Sequence, residues 1–509
     1  MKTNFFAWAF VWLFALTACN DPPAADRPAL IVNEETTFVT GPLTADGQVD
    51  FVAAYNEFAG KGVTKETNAA AALAEVIGMP GYLIGPSDDE TAVQSRVAAL
   101  LDVTPGPPLP DIRLDSDLVH RGPWKASDSP KSAETAKQLA YLQPTLDAAV
   151  EALQKTHWFF PGVATTQPGM PLAIPFGSHA RSLAKTLVAR GFLHQAEGDA
   201  QAAWRDIQAA SRLGTLLQQE PMLIPMLSGL AVTSLADAST QRLALHVTDR
   251  AVLDEMLRDV ANRPVLTADR AFWGERLYTI AMLRDIWREP DKCKEVIQAL
   301  GTGPGPELSR SEMKRVLSAI RDADPNAVLR AYNRLADQRD ALLRTDDRQA
   351  ATTTIATRDA QKAETEKGLL KRLPPLDASP EDKTQWCADA TVVLETTQLQ
   401  GLRDILDRSE QTRRVTMTAV ALELYKLDRG EYPAALDALA PAYLAAVPTD
   451  LFTGLPMIYR PHDDTYDLYS VGPDGDDDGG VVPKDAAPKA VVSATMQIRA
   501  EASEAKNEK

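Results

Sequence analysis

The sequence predicts a mainly α protein, an array of paired helices that carries a small α+β domain at its C-terminal end. Three observations predict it. Apolar residues recur at helical spacing through most of residues 130–300. Residues 306–400 are charge-dense and helix-forming, without strand periodicity. Only after one last amphipathic helix does the pattern alternate every second residue, at Met457–Arg460 and Tyr466–Ser470, as the strands of a hairpin do. A chain of 509 residues exceeds one ordinary core, so two to four domains are expected.

The N-terminus divides first. Lys2 precedes an apolar run from Phe5 to Ala18 that is shorter than the roughly 20 residues a bilayer span needs. It suits the apolar region of a signal peptide over residues 1–18. The run ends in Leu16-Thr17-Ala18-Cys19, which resembles the lipobox of bacterial lipoproteins. That resemblance implies cleavage before Cys19, a lipid on its thiol, and a body held at an envelope membrane, on the periplasmic or cell-surface side. Residues 19–30 follow as a polar, proline-stiffened tether. No later segment is expected to approach a membrane span. With Cys19 assigned to lipid, Cys293 and Cys387 remain, and they either pair as a disulfide or sit singly in the core.

Residues 31–115 are expected to be mostly helical. Turn signals at Gly41-Pro42 and Asp46-Gly47 lead into a helical pattern from Val49 to Gly78. Thr104 to Pro110 holds four prolines and a glycine and cannot be helix interior, so it reads as an ordered loop or a linker. The array proper runs from 130 to 300. His157-Trp158-Phe159-Phe160-Pro161 opens a proline-rich loop whose aromatic residues are expected to pack, not to bind. Ala184, Leu187, Gly191 and His194 precede the turn Glu197-Gly198-Asp199, and Ala203, Ile207 and Ala210 follow it. Small residues at those spacings let two antiparallel helices approach closely. Leu187, Gly191, Ala203 and Ala210 resemble one tetratricopeptide hairpin, although Thr215 stands where that family closes with proline. Phe272, Trp273, Leu277, Ile280, Leu283 and Trp287 form a heavy apolar stripe expected to be core.

The C-terminal domain is expected over residues 408–482. Val415, Ala419 and Leu422 line one face of its helix, and Arg413, Thr416, Glu423 and Lys426 are assigned to the opposite, polar face. Asp428-Arg429-Gly430 should end that helix. The run from Gln411-Thr412-Arg413 through Leu424 to Pro433, then Tyr443-Leu444, Pro448, Asp450, Gly454, Tyr459, Tyr466 to Ser470 and Asp474-Gly475, resembles the globular domain of the type II secretion major pseudopilin. The resemblance covers about one seventh of the chain. A pseudopilin begins with its own apolar helix, whereas polar helix-forming sequence precedes Gln411 here. The expected arrangement is therefore a pseudopilin-like domain on a lipoprotein body, not a polymerising subunit. In that family the loop after the last matched strand holds calcium, which implies a structural calcium ion at Asp474, Asp476, Asp477 and Asp478. Oxygen ligands in a glycine-containing turn suit that ion, and a solvated acidic turn is the alternative. Pro473 and Pro483 exclude the flanking helices of an EF-hand. Residues 483–509 are expected to form a disordered tail.

Chemistry is sparse. None of the six histidines pairs at metal-ligand spacing, and neither a nucleophile elbow nor a phosphate loop occurs. A net charge of −17 argues against a nucleic-acid partner. The expectation is a non-catalytic envelope lipoprotein whose helices bind or scaffold a protein partner. The alternative is an envelope hydrolase or polymer-binding protein with a site hidden in the helical body.

Overall fold

In the computed structural model, residues 29–84, 88–110, 114–166, 169–176, 178–302, 308–345, 348–394, 399–462, 464–473, 475, 477, 479 and 498–499 are described. Sixteen α-helices and five short strands occur among them, so the protein is mainly α. A strap of turns leads into α1 (Phe51–Ala59) and α2 (Ala69–Ile77). The sequence suggested one continuous helical stretch from Val49 to Gly78. The chain instead breaks after Ala59, where Gly62 takes a left-handed φ of 79° and Asn68 caps the second helix by accepting from the Ala70 N–H.

Next come β1 (Gly81–Leu83), α3 (Glu90–Leu101), α4 (Asp117–His120), α5 (Pro130–Ala152) and β2 (Ile174–Phe176). β1 and β2 pair antiparallel with Tyr82 opposite Pro175. The sequence concealed this two-stranded sheet, because three residues are too few to show a period and both strands lie among chain-breaking residues. The 104–110 segment is an ordered loop. Its Gly106 N–H bonds the Ala74 carbonyl at 2.9 Å, and a Cβ there would lie 2.3 Å from the Glu75 carbonyl oxygen. The aromatic loop is likewise packed, with Trp158 and Phe160 buried edge to face at 5.6 Å. Asn68 brackets it, accepting from the Phe159 N–H and donating to the Phe159 carbonyl.

The central array is α6 (Ser178–Ala196), α7 (Ala200–Leu217), α8 (Leu223–Ala244), α9 (Arg250–Asn262), α10 (Asp269–Arg288) and α11 (Lys294–Thr302). Glycines set its closest approaches. A Cβ on Gly191 would lie 2.9 Å from the Ala203 carbonyl oxygen, and one on Gly214 2.8 Å from that of Gly229 on α8. By length and composition α8 could cross a membrane, contrary to the expectation that no later segment would. It is buried in the fold instead, where Gln241 donates to Thr416 and Asp237 accepts from Arg263.

α12 (Arg310–Asp322), α13 (Pro325–Arg344), α14 (Arg348–Leu369) and α15 (Pro380–Leu394) close a second apolar cluster with α10. α16 (Leu399–Arg429) then runs unbroken through residue 408, so the expected domain boundary falls inside a helix. Val420 and Leu424 join the core of α6–α8, whereas Val415, Ala419 and Leu422 join the C-terminal cluster. The helix is thus a shared spine, which corrects the polar-face assignment: Thr416 is fully buried and Glu423 nearly so. Gly430 follows with φ 80°. β3 (Ile458–Pro461) and β4 (Tyr466–Tyr469) form the hairpin, Ile458 opposite Tyr469, and β5 (Ile498–Arg499) adds to β4. The rest of the 483–509 tail lies outside the described residues.

Candidate functional site

Three places can be weighed: the acidic loop, the buried carboxylates, and the apolar pockets. The loop grows out of the C-terminal hairpin. Buried Asp450 organises its base, accepting from the Phe452 N–H at 2.8 Å and from the Val471 N–H at 3.1 Å, while Gln411 on α16 accepts from the Leu451 N–H. Of the four aspartates expected to hold calcium, Asp474, Asp476 and Asp478 lie outside the described residues. Asp477 is described and already engaged. One carboxylate oxygen accepts from the Tyr469 hydroxyl at 2.8 Å and the Gly479 N–H at 2.9 Å, and the other faces Arg460 at 3.3 Å. The Tyr469 hydrogen bond, more than any other contact, holds its pKa below the usual carboxylate value. Asp477 as it stands serves the hairpin. Cys19 also lies outside the described residues.

The helical hairpin that resembled a tetratricopeptide unit is present as α6 and α7, with Leu187, Ala203 and Ala210 fully buried. Sequence reading missed the polar lock between them. Arg190 binds Asp206 through two hydrogen bonds, 2.7 and 2.6 Å long, and reaches Asp147 on α5 at 2.8 Å. Burial raises the Asp206 pKa and the guanidinium pulls it back. Planar two-point recognition of a carboxylate is what an arginine fork does best.

Two other carboxylates are buried without such a cation. Glu220, in the turn between α7 and α8, is 1% exposed and accepts from the Tyr55 hydroxyl at 2.7 Å. Its second oxygen and the hydroxyl of Tyr82 have no well-formed hydrogen bond. Burial pushes the Glu220 pKa up to about 7. Glu423 on α16 accepts from the Tyr432 hydroxyl at 3.0 Å, and burial lifts it to about 7 as well. Tyr466 stands edge-on to Tyr432 at 4.9 Å. A carboxyl group that titrates near neutrality is a familiar sign of a proton-transfer site. Both groups are nonetheless buried, Glu220 at 1% and Glu423 at 8% exposure.

Two pockets are mainly apolar. One, between α2 and the start of α6, is lined by Leu73, Ile77, Trp158, Phe160, Leu217 and the exposed His179. The other lies between α10, α12, α13 and α15 and is walled by hydrophobic side chains and Cys387. Cys293 and Cys387 are free and buried in one apolar cluster, with burial pushing each thiol up to about 12. At that value they are inert as nucleophiles near neutral pH. Among the described residues no three His, Cys, Asp or Glu side chains gather as a metal-holding group. No family model matches the chain, and no curated protein or solved structure matches it either.

Proposed function

We propose that this chain is a non-catalytic lipoprotein of the bacterial cell envelope, anchored through Cys19, whose helical body binds or scaffolds a protein partner. The observation that carries the reading is the distribution of charge. Inside the body Arg190 is paired with Asp206 and Arg263 with Asp237, while two pockets are lined mainly by hydrophobic groups. Catalysis needs titratable groups that converge on a cleft, and a scaffold needs helices held in fixed register. The C-terminal module belongs to the same reading as a pseudopilin-like domain, fused to the body through α16 and carrying a structural calcium ion at its aspartate loop.

The near-neutral Glu220 is what favours the alternative, an envelope hydrolase or polymer-binding protein. That reading requires an opening at the α7–α8 turn large enough to admit a substrate to a side chain 1% exposed.

The test is membrane flotation of the full-length protein made in cells, beside a Cys19→Ala variant. The parent should float with the membranes and release a fatty-acylated N-terminal peptide on digestion. Soluble parent protein without acyl mass on Cys19 would overturn the anchoring.

A further inference from the structure

We propose that the apolar cavity between α10, α12, α13 and α15 seats one acyl chain of the lipid carried on the protein's own Cys19. The inference rests on the anchoring reading above. The cavity volume is about 90 Å³, several times the roughly 10–15 Å³ that one water needs by the same measure. Ile286 and Trp287 on α10, Ile320 on α12, Val328 on α13, and Trp386 and Cys387 on α15 contribute to its wall. The Trp386 indole N–H turns away to the Leu369 carbonyl at 3.0 Å. Such a wall is almost entirely hydrocarbon, and left empty it forgoes the dispersion contacts that interiors normally make. A flexible, unbranched hydrocarbon matches it.

The route of the chain says which hydrocarbon. Asn326, buried at the start of α13, donates to the Ala29 carbonyl at 3.2 Å and accepts from the Ile31 N–H at 2.8 Å. Two turns on, Asn333 donates to the carbonyls of Glu35 and Thr36 at 2.8 and 3.0 Å. These two amides clamp the N-terminal strap along the helix that supplies Val328 to the cavity. Leu30 and Val32 of the strap pack on the same apolar cluster. Residues 19–28 can extend at most about 36 Å, so a lipid on Cys19 is leashed within that distance of the clamp.

A free fatty acid would bring a carboxylate that the hydrocarbon wall cannot pair. Lys383 on α15 is bound to Asp322, Ser318 and the Leu376 carbonyl and Arg372 to Asp389, whereas Arg315 donates to the neutral carbonyls of Leu373 and Pro374. The glyceride or amide chain of a lipoprotein brings no such charge. One chain drawn into the cavity would hold the helical body against the membrane that retains the others.

Cells grown with a photoactivatable diazirine fatty acid supply the probe. The full-length protein is purified in detergent, irradiated and digested, and the cross-linked peptides are mapped. The expected result joins the lipidated N-terminal peptide to peptides spanning 283–297, 316–328 or 386–390. The yield should fall at least tenfold in Ala390→Phe, which fills the cavity. Val316→Phe fills it from the opposite wall and serves if the first variant melts early. Lipid present on Cys19 but cross-linked only to detergent overturns the inference and leaves the anchoring intact. No lipid on Cys19 overturns both. Equal cross-linking of free probe to a Cys19→Ala chain would make a free fatty acid the occupant, and would overturn the seat for the anchor.

Discussion

The α6–α7 hairpin and the C-terminal module both bury carboxylates, and they compensate them in opposite ways. In the hairpin Asp206 meets a guanidinium that is itself buried and doubly hydrogen-bonded to it. In the module Glu423 meets a phenol, while the nearest cation, Lys426, lies over the Tyr432 ring at 4.4 Å. The first solution keeps the charge and cancels it. The second favours giving up the charge, which is why the Glu423 pKa rises to about 7. One protein therefore holds a lock that depends on geometry and another that depends on a proton.

The sharpest way to break that contrast is to remove one half of the charged lock. Arg190→Met leaves the buried Asp206 with only the His194 ring, 3.8 Å away, to balance it, and losing one partner of a buried pair costs about 3–5 kcal/mol. A thermal melt followed by circular dichroism should show the transition falling by many degrees. The double variant Arg190→Met/Asp206→Leu should recover most of the loss, since an apolar pair of similar volume carries no desolvation penalty. A single variant that melts with the parent would mean that Asp206 reaches solvent, and the distinction between the two regions would collapse.

The proton-dependent lock gives the next largest effect. Glu423 has an ordinary pKa of 4.5 and a folded value of about 7, so the folded state binds its proton more tightly than the unfolded chain does. Its contribution is then fully present below about pH 4.5, and it is lost as the pH rises through about 7. A shift of that size corresponds to about 3 kcal/mol between the two limits. Hydrogen exchange of residues 411–470 should accelerate between pH 5 and 8 beyond the intrinsic rate increase. Glu423→Gln, which stays neutral and can still accept from Tyr432, should flatten that dependence. An equally steep profile in the variant would assign the titration elsewhere, with Glu220 the first candidate because burial lifts it in the same direction.

What the sequence made legible follows from the range of the interactions involved. Helical periodicity is local, so the paired helices and their capped turns could be read directly. Asp199 accepts from the Ala202 N–H at the turn that the Glu197-Gly198-Asp199 signal announced, and Gly198 takes φ 92° there. The C-terminal hairpin was readable for the same reason, its strands standing one turn apart. Glu423 was misread because an amphipathic pattern assumes one wet face, and α16 has the array on one side and the hairpin on the other. Glu220 gave no signal at all. It lies in the polar run Gln218-Gln219-Glu220-Pro221, and its burial is decided by Tyr55, which is 165 positions away. The clamp from Asn326 and Asn333 onto the strap spans nearly 300 positions, and no local pattern encodes it. The acidic loop was conspicuous in sequence, yet the described structure reaches only one of its four aspartates, Asp477.

That loop provides the smallest expected effect and the one closest to the C-terminal side of the comparison. Asp477 is already held by Tyr469 and Arg460, and a calcium ion at Asp474, Asp476, Asp477 and Asp478 would add backbone carbonyls to complete its shell. A ligand that binds only the folded state stabilises it by mass action, about 2.7 kcal/mol at a hundred times its dissociation constant. For a site on one loop at millimolar calcium, a gain of about 1 kcal/mol and a rise of a few degrees is expected in the C-terminal transition. The measurement is a thermal melt of the protein with calcium and with chelator, beside Asp476→Ala/Asp478→Ala. A rise that the double variant abolishes would add a third way of neutralising carboxylates, by a metal ion, to the guanidinium of the hairpin and the proton of Glu423. No rise at millimolar calcium would overturn the calcium site and leave Glu423 and Asp477, both bound to tyrosine, as the carboxylates that the module is known to compensate.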